Sequence, residues 1–344
     1  MRLANVTHIN RLQASVRDLH VDLAKTEEQI STGKVASVFS GLKGEKARVS
    51  VQLREVLSTR ESYINTINTT KLRAEVASSA LTEIQNLASD LRVELIKQTQ
   101  DLYSENLPIM NEFAKTQIDR LANLLNSEVA GIFVFSGMAS STAPIINTET
   151  IKTNFAAGGG VNTAVNAASN SAATIQNNSN TWFNTMGNWN ALGTLSSASE
   201  NTVHAAVGLN VSYGEMANQE AFSDLFEILN IFANVTVAGG TAAQQQANQS
   251  EYRTLVDNSR GTVEQAFDDI NQMVADLGGD LARLNSIQEK HKNDIELVTS
   301  QLDNVENVDS FEAINRFQSL RSQIESSYQI TAASRGFSLL NFLN

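Results

Sequence analysis

Four histidines, His8, His20, His204 and His291, and no cysteine are what this 344-residue chain offers to metal or nucleophilic chemistry. None of the histidines stands in a metal spacing such as His-Glu-x-x-His. Without cysteine, thiol catalysis and a disulfide framework are excluded. No Gly-x-Gly-x-x-Gly, P-loop or Gly-x-Ser-x-Gly segment occurs. Gly158-Gly159-Gly160 has neither a helix start nor a lysine behind it, so it reads as a flexible turn rather than a phosphate cradle. The carboxylate pairs Asp268-Asp269 and Glu27-Glu28 sit in helical pattern and read as solvated charge. Trp182 and Trp189 lie in a polar stretch and have two readings, a small insert core and an aromatic patch for glycans, of which the core is preferred. The residues predict no catalytic, cofactor-binding or metal site, and no enzyme.

Composition narrows the classes further. Lys+Arg number 25 against 37 Asp+Glu, a formal charge of −12, which is no footprint for nucleic acid and disfavours adsorption to anionic membranes. No stretch approaches the ~20 apolar residues of a membrane span. The opening residues Met1 to His8 lack a charged region followed by an apolar run, so no cleaved secretory signal is expected. Proline occurs only 2 times, which fits long uninterrupted helices.

The element that organises the rest runs from Val263 to Val305. Val263, Phe267, Ile270, Val274, Leu277, Leu281, Leu284, Ile295, Val298, Leu302 and Val305 follow alternating steps of four and three, with Gln288 and His291 at the two remaining positions. A 3.5-residue period sustained over roughly six heptads is a coiled-coil seam, about 65 Å long at ~1.5 Å per residue. A polar residue such as His291 in a seam sets register at a cost in stability. Ile9, Leu12, Val16, Leu19, Leu23 and Ile30 provide a partner seam, interrupted only by Thr26.

Taken in order, the pattern predicts a helix from about Asn5 to a cap at Gly33, a break to Gly44, and a helix from Glu45 to Gln100. Asn106 is expected to cap a third helix with Pro108 in its first turn. Gly131 to Gly137 reads as a short strand. Residues 138–217 lose periodicity, with strands expected near Trp182-Phe183 and Asn210 to Tyr213. Phe222, Leu225, Phe226, Leu229 and Phe232 mark another helix, and Gly239-Gly240 separates it from the long coil starting near Ala243. Gly278-Gly279 within that coil implies close packing or a bend. Asp309 or Ser310 is expected to cap a last helix carrying Phe311, Ile314, Phe317, Leu320, Ile324 and Tyr328, ahead of the apolar end Phe337 to Asn344.

Two amphipathic termini with so apolar an end exceed what one helix pair can bury, so association is preferred over the alternative of a self-contained helical bundle with its termini buried internally. The predicted assembly residues are Ile9, Leu12, Val16, Leu19, Leu23, Ile30, Val298, Leu302, Val305, Phe317, Leu320, Ile324, Leu339, Leu340, Phe342 and Leu343.

Two segments resemble the bacterial flagellin family: Glu28-Gln29-Ile30-Ser31-Thr32-Gly33-Lys34 after the first helix, and Ala275-Asp276-Leu277-Gly278-Gly279-Asp280-Leu281-Ala282-Arg283-Leu284-Asn285 in the long coil. Gly131-Ile132-Phe133-Val134-Phe135-Ser136-Gly137, with Thr142-Ala143-Pro144-Ile145, is similar to a segment of the family's hook–filament junction members. So is the ending Ser326-Ser327-Tyr328-Gln329-Ile330-Thr331 with Ser338 to Leu343. Val35 to Leu42 departs from the paired-Asp continuation common in the family, so that loop is expected to differ.

The resemblance implies a mainly α, elongated flagellin-like helical rod with a small β-containing or mixed central insert. Residues 1–43 and 303–344 would be a terminal coiled-coil assembly domain, 44–140 and 240–302 a core rod, and 141–239 a variable surface-exposed insert. It further implies a structural subunit at the hook–filament junction, extracellular on the flagellum, exported by the flagellar secretion apparatus without a cleaved signal. Its terminal helices would order on incorporation. Its partners would be hook-associated and flagellin subunits, and a cytoplasmic export chaperone at Phe311 to Leu343. A filament flagellin, and an adhesin or glycan-binding protein on the same rod, stand as alternatives.

Overall fold

The computed structural model describes residues 2–38, 41–42, 44–100, 103–153, 163–183 and 201–336. It is mainly α. Its packing divides the chain into two compact units, Met1–Glu61 with His291–Asn344, and Ser62–Lys290. Trp189, Gly158 to Gly160, Leu339, Leu340, Phe342 and Leu343, singled out above, lie outside the described residues, as do the side chains of Ile9 and His8.

The first unit is built on α1 (Arg2–Thr32), the start of α2 (Gly44–Gln100), the end of α7 (Ala242–Glu306) and α8 (Ser310–Gly336). The predicted helices are present with ends shifted by a few residues. Gly33 ends α1 at φ 68°, where only glycine is unstrained, and its N–H donates to the Gln29 carbonyl at 2.9 Å. The chain leaving that cap meets the α7–α8 turn. Val35 N–H donates to Glu306 O at 2.7 Å and Val308 N–H to Gly33 O at 2.9 Å, making an antiparallel bridge between Lys34 and Asn307. Of the two expected caps, Asp309 rather than Ser310 caps α8, its Oδ1 accepting from the Phe311 and Glu312 amides at 2.8 and 3.2 Å. From this corner α1 and α8 run antiparallel and pack on each other, with His20 reaching Tyr328.

The second unit holds the large core. On α2, Ile67, Thr70, Ala74, Ala77, Leu81, Ile84, Ala88, Leu91 and Leu95 form one buried stripe at three- and four-residue steps. Helix α3 (Tyr103–Leu125) adds Met110, Ala114, Ile118, Leu121 and Leu125, and α7 adds Tyr252, Leu255, Val263, Ile270, Leu277 and Leu284. Helix α6 (Glu220–Asn234) is buried nearly all round, which marks it as a central element of this unit. The short α4 (Thr148–Lys152) and α5 (Ala172–Phe183) pack against α6. The strands are short. Antiparallel β1 (Glu128–Val129) and β2 (Ile132–Phe133) turn at Ala130 and Gly131, both with positive φ. Parallel β3 (Ala164–Val165) pairs with β6 (Thr236–Val237), and antiparallel β4 (Thr202–Ala206) with β5 (Leu209–Ser212).

Three local expectations are corrected. Trp182-Phe183 is the end of helix α5, because Ala172, Ile175, Ser179 and Phe183 bury one helical face, a period diluted to the eye by the asparagines between them. Helix α3 starts at Tyr103, so Asn106 is not its cap and Pro108 lies inside it. Gly278 and Gly279 are exposed, and a Cβ at either would meet nothing within 4 Å, so close packing is not their reason.

Candidate assembly surface

The seam residues of α7 are all buried or half-buried, including the polar Gln288 and His291. Within the first unit, Leu302, Leu320 and Ile324 are buried, and Val298, Val305 and Phe317 half-buried. Across from them on α1, Leu12, Val16, Leu19 and Leu23 are half-buried, while Ile30 is 38 % exposed. Thr26, the polar interruption in that stripe, is buried and returns its hydroxyl to the Asp22 carbonyl at 2.8 Å. That local bond satisfies the buried hydroxyl within the helix.

Not every apolar residue of the helix pair is covered. Phe311 is 78 % exposed, Ile314 44 %, Tyr328 53 % and Ile330 57 %, all on α8, and Val21 on α1 is 63 % exposed. Apolar side chains occur around α8 rather than on one stripe, so a single neighbouring helix covers only part of them.

A charged clasp holds the corner from which the pair springs. The Glu306 carboxylate accepts from Ser50 Oγ at 2.5 Å and from the Arg54 fork at 2.9 and 2.6 Å, with Lys34 Nζ 3.8 Å away. The Arg54 hydrogen bond, aided by Ser50 and by the charges of Arg54 and Lys34, holds the Glu306 carboxyl below the usual range. Arg60 and Asp294, 3.4 Å apart, form a second ion pair in this unit. Sequence reasoning missed the clasp, whose members lie 256 positions apart for Ser50 and Glu306.

The second unit contains a buried carboxylate also missed. Glu227 on α6 is 3 % exposed and meets the Asn180 amide at 3.4 Å. Burial, with Asp224 beside it, pushes its carboxyl up to about 8, and burial with Glu220 and Asp269 pushes Asp224 to about 6. Glu227 borders a polar cleft with Gln176, Asn180 and Asp257. Among the described residues no group of three or more His, Cys, Asp or Glu is placed to hold a metal. His204 is exposed on β4, and Trp182 is half-buried with its ring centroid 4.8 Å from that of Phe183. Among the described residues no helix is long and apolar enough to cross a membrane.

Residues 261–343 match the family model of the bacterial flagellin C-terminal helical region. A solved structure from Vibrio parahaemolyticus, described as a flagellar hook-associated protein, is 13 % identical over 75 % of this chain and 96 % of that one, with a TM-score of 0.47. No curated protein sequence matches. The matched region takes in the whole of the α7 seam, the capped turn at Asp309 and the whole of α8. Over residues 261–343 the chain is similar to the bacterial flagellin C-terminal helical region.

Proposed function

We propose that the chain is an axial structural subunit joining hook to filament, held in place by coiled-coil packing of its terminal helices. The observation that carries this is the uncovered apolar set Phe311, Ile314, Tyr328 and Ile330, which lies inside the family-matched region. Apolar area left exposed beside a packed helix pair favours association. The seam residues Leu302, Leu320 and Ile324 then hold α1 to α8, and the uncovered residues meet neighbouring subunits. The segments Gly131 to Gly137 and Ser326 to Thr331, similar to those of junction members, favour the junction over the filament.

In this reading, residues 1–43 and 303–344 form the assembly domain, 44–140 and 240–302 the core rod, and 141–239 a variable surface-exposed insert. The partners are hook-associated and flagellin subunits, and the location is the extracellular flagellum, reached by type III export. A cytoplasmic chaperone shields Phe311 to Leu343 before export.

The test combines purified protein with a deletion strain. Seeded and unseeded protein at high concentration is followed by light scattering and negative-stain microscopy. Monomers or short oligomers, with loss of filaments but retention of hooks in the deletion strain, are expected. Long filaments formed by the protein alone would overturn the junction role in favour of a filament flagellin.

A further inference from the structure

Arg73 of α2 lies in the second unit with its Nε buried and without a hydrogen-bond partner, and no carboxylate pairs with it among the described residues. That is unusual in a chain of charge −12. A guanidinium stays charged in any protein environment, so it cannot relieve the cost of a buried, unsatisfied donor by losing its proton. Arg73 as a whole is half-buried, and among the described residues no acceptor meets its buried Nε.

Beside Arg73 is a cavity of about 150 Å³. Ser140, Asn201, Thr202 and Tyr213 line it, and among the described residues no acidic residue does. A space of this size takes a ligand of about six heavy atoms, or about five waters by their share of liquid volume. Two hydroxyl-bearing residues, an amide and a phenol beside one cation offer donors to the oxygens of an anion. The planar guanidinium matches the paired oxygens of a phosphate or carboxylate. Water would satisfy the N–H group but leave the charge unopposed.

We propose that this cavity is a binding site for a small oxyanion, phosphate or carboxylate in type, anchored on Arg73 with Ser140, Asn201 and Thr202 around it. The site is independent of the assembly surface, and binding there steadies the contacts of α2 with the β1–β2 and β4–β5 hairpins.

The experiment uses the full chain. Thermal unfolding and isothermal titration calorimetry are run with sodium phosphate, with sodium acetate, and with sodium chloride at matched ionic strength. At tenfold excess over its dissociation constant, the bound anion raises the midpoint by about 3 °C above the chloride control. Arg73→Met removes that shift. Ser140→Ala, which leaves the Ser140 carbonyl bonded to the Phe133 amide, weakens binding about fivefold. If Arg73→Met does not fold, Arg73→Lys and Ser140→Ala still report, the first through loss of the paired geometry. Preference for phosphate over acetate names phosphate as the ligand, and equal or stronger response to acetate names a carboxylate. A response to neither beyond chloride, or binding undiminished in the Arg73 and Ser140 variants, overturns the proposal.

Discussion

Arg54 grips both oxygens of Glu306, through Nε at 2.9 Å and Nη2 at 2.6 Å, across 252 positions of sequence. Glu306 is also the last residue of α7, and its carbonyl accepts from Val35. One residue therefore ties the end of the long seam to α2 by its side chain and to the chain leaving α1 by its backbone. Glu306→Ala is expected to destabilise the first unit by about 2 kcal/mol, since Arg54 is partly solvated and its share is screened. Hydrogen exchange in α1 and α8 should accelerate accordingly, while exchange in α3 and α6 stays unchanged. Because the Glu306 carboxyl is held below its ordinary value of 4.5, its contribution is complete above that value and is lost as pH falls through the lowered folded value. Exchange measured at acid pH should show α1 and α8 loosening in wild type, with no further pH effect from this group in Glu306→Ala.

Glu227 gives the opposite pH dependence in the second unit. Folded, it keeps its proton up to about pH 8, whereas the ordinary value is 4.5, so between these the folded chain binds more protons than the unfolded one. Stability from this group is complete below about 4.5 and falls as pH rises toward 8. The loss is on the order of 5 kcal/mol. Asp224, raised from 3.8 to about 6, adds a smaller decline over its own range. Urea midpoints measured from pH 4.5 to 9 should fall in wild type and fall much less in Glu227→Gln. Parallel curves for the two proteins would refute the assignment.

Three small-residue positions predict gains in stability. Ala130 holds φ 53° in the β1–β2 turn beside Gly131 at φ 76°, the pair of positive values that a two-residue hairpin loop requires. A Cβ in that region costs about 1–2 kcal/mol, so Ala130→Gly should stabilise by about 0.5–1 kcal/mol after the entropy of the added glycine. Gly278→Ala and Gly279→Ala, with nothing within 4 Å of either Cβ, should each add about 0.5–1 kcal/mol. Denaturant midpoints measured at constant m-value check all three.

Covered and uncovered apolar residues of the terminal helices should separate folding from association. Leu302→Glu places an unpaired carboxylate in a buried position and is expected to cost about 3 kcal/mol or more, releasing the end of the seam and blocking incorporation into flagella. Phe311→Ser removes a side chain that is 78 % exposed, so stability should change by no more than about 0.5 kcal/mol while incorporation drops. Circular dichroism gives the first readout and complementation of a deletion strain the second. Normal incorporation of both variants would remove the assembly reading.

Much of this was legible from one dimension. Helix periodicity depends only on residue spacing, so the α7 seam, the α6 pattern from Phe222 to Phe232 and the cap at Asp309 could be read before any contact was known. Gly33 was legible for a similar reason: a left-handed cap is a local backbone demand that glycine meets best. Helix α5 was obscured because its buried face is carried partly by Ala172 and Ser179, which give little hydrophobic signal.

What the sequence by itself determined is therefore the order of the long helices and the family resemblance of its end. Only the tertiary structure decided which of the apolar residues of α8 are covered, Leu320 and Ile324 inside and Phe311 outside, since several faces are apolar and the neighbours select among them. It alone brought Ser50 and Arg54 to Glu306, isolated Glu227 from water, and set Arg73 beside a polar cavity with no carboxylate among the described residues lining it. The physical reason is common to all four. Periodicity is a property of adjacent residues, whereas burial and charge pairing depend on which distant segments the fold sets side by side.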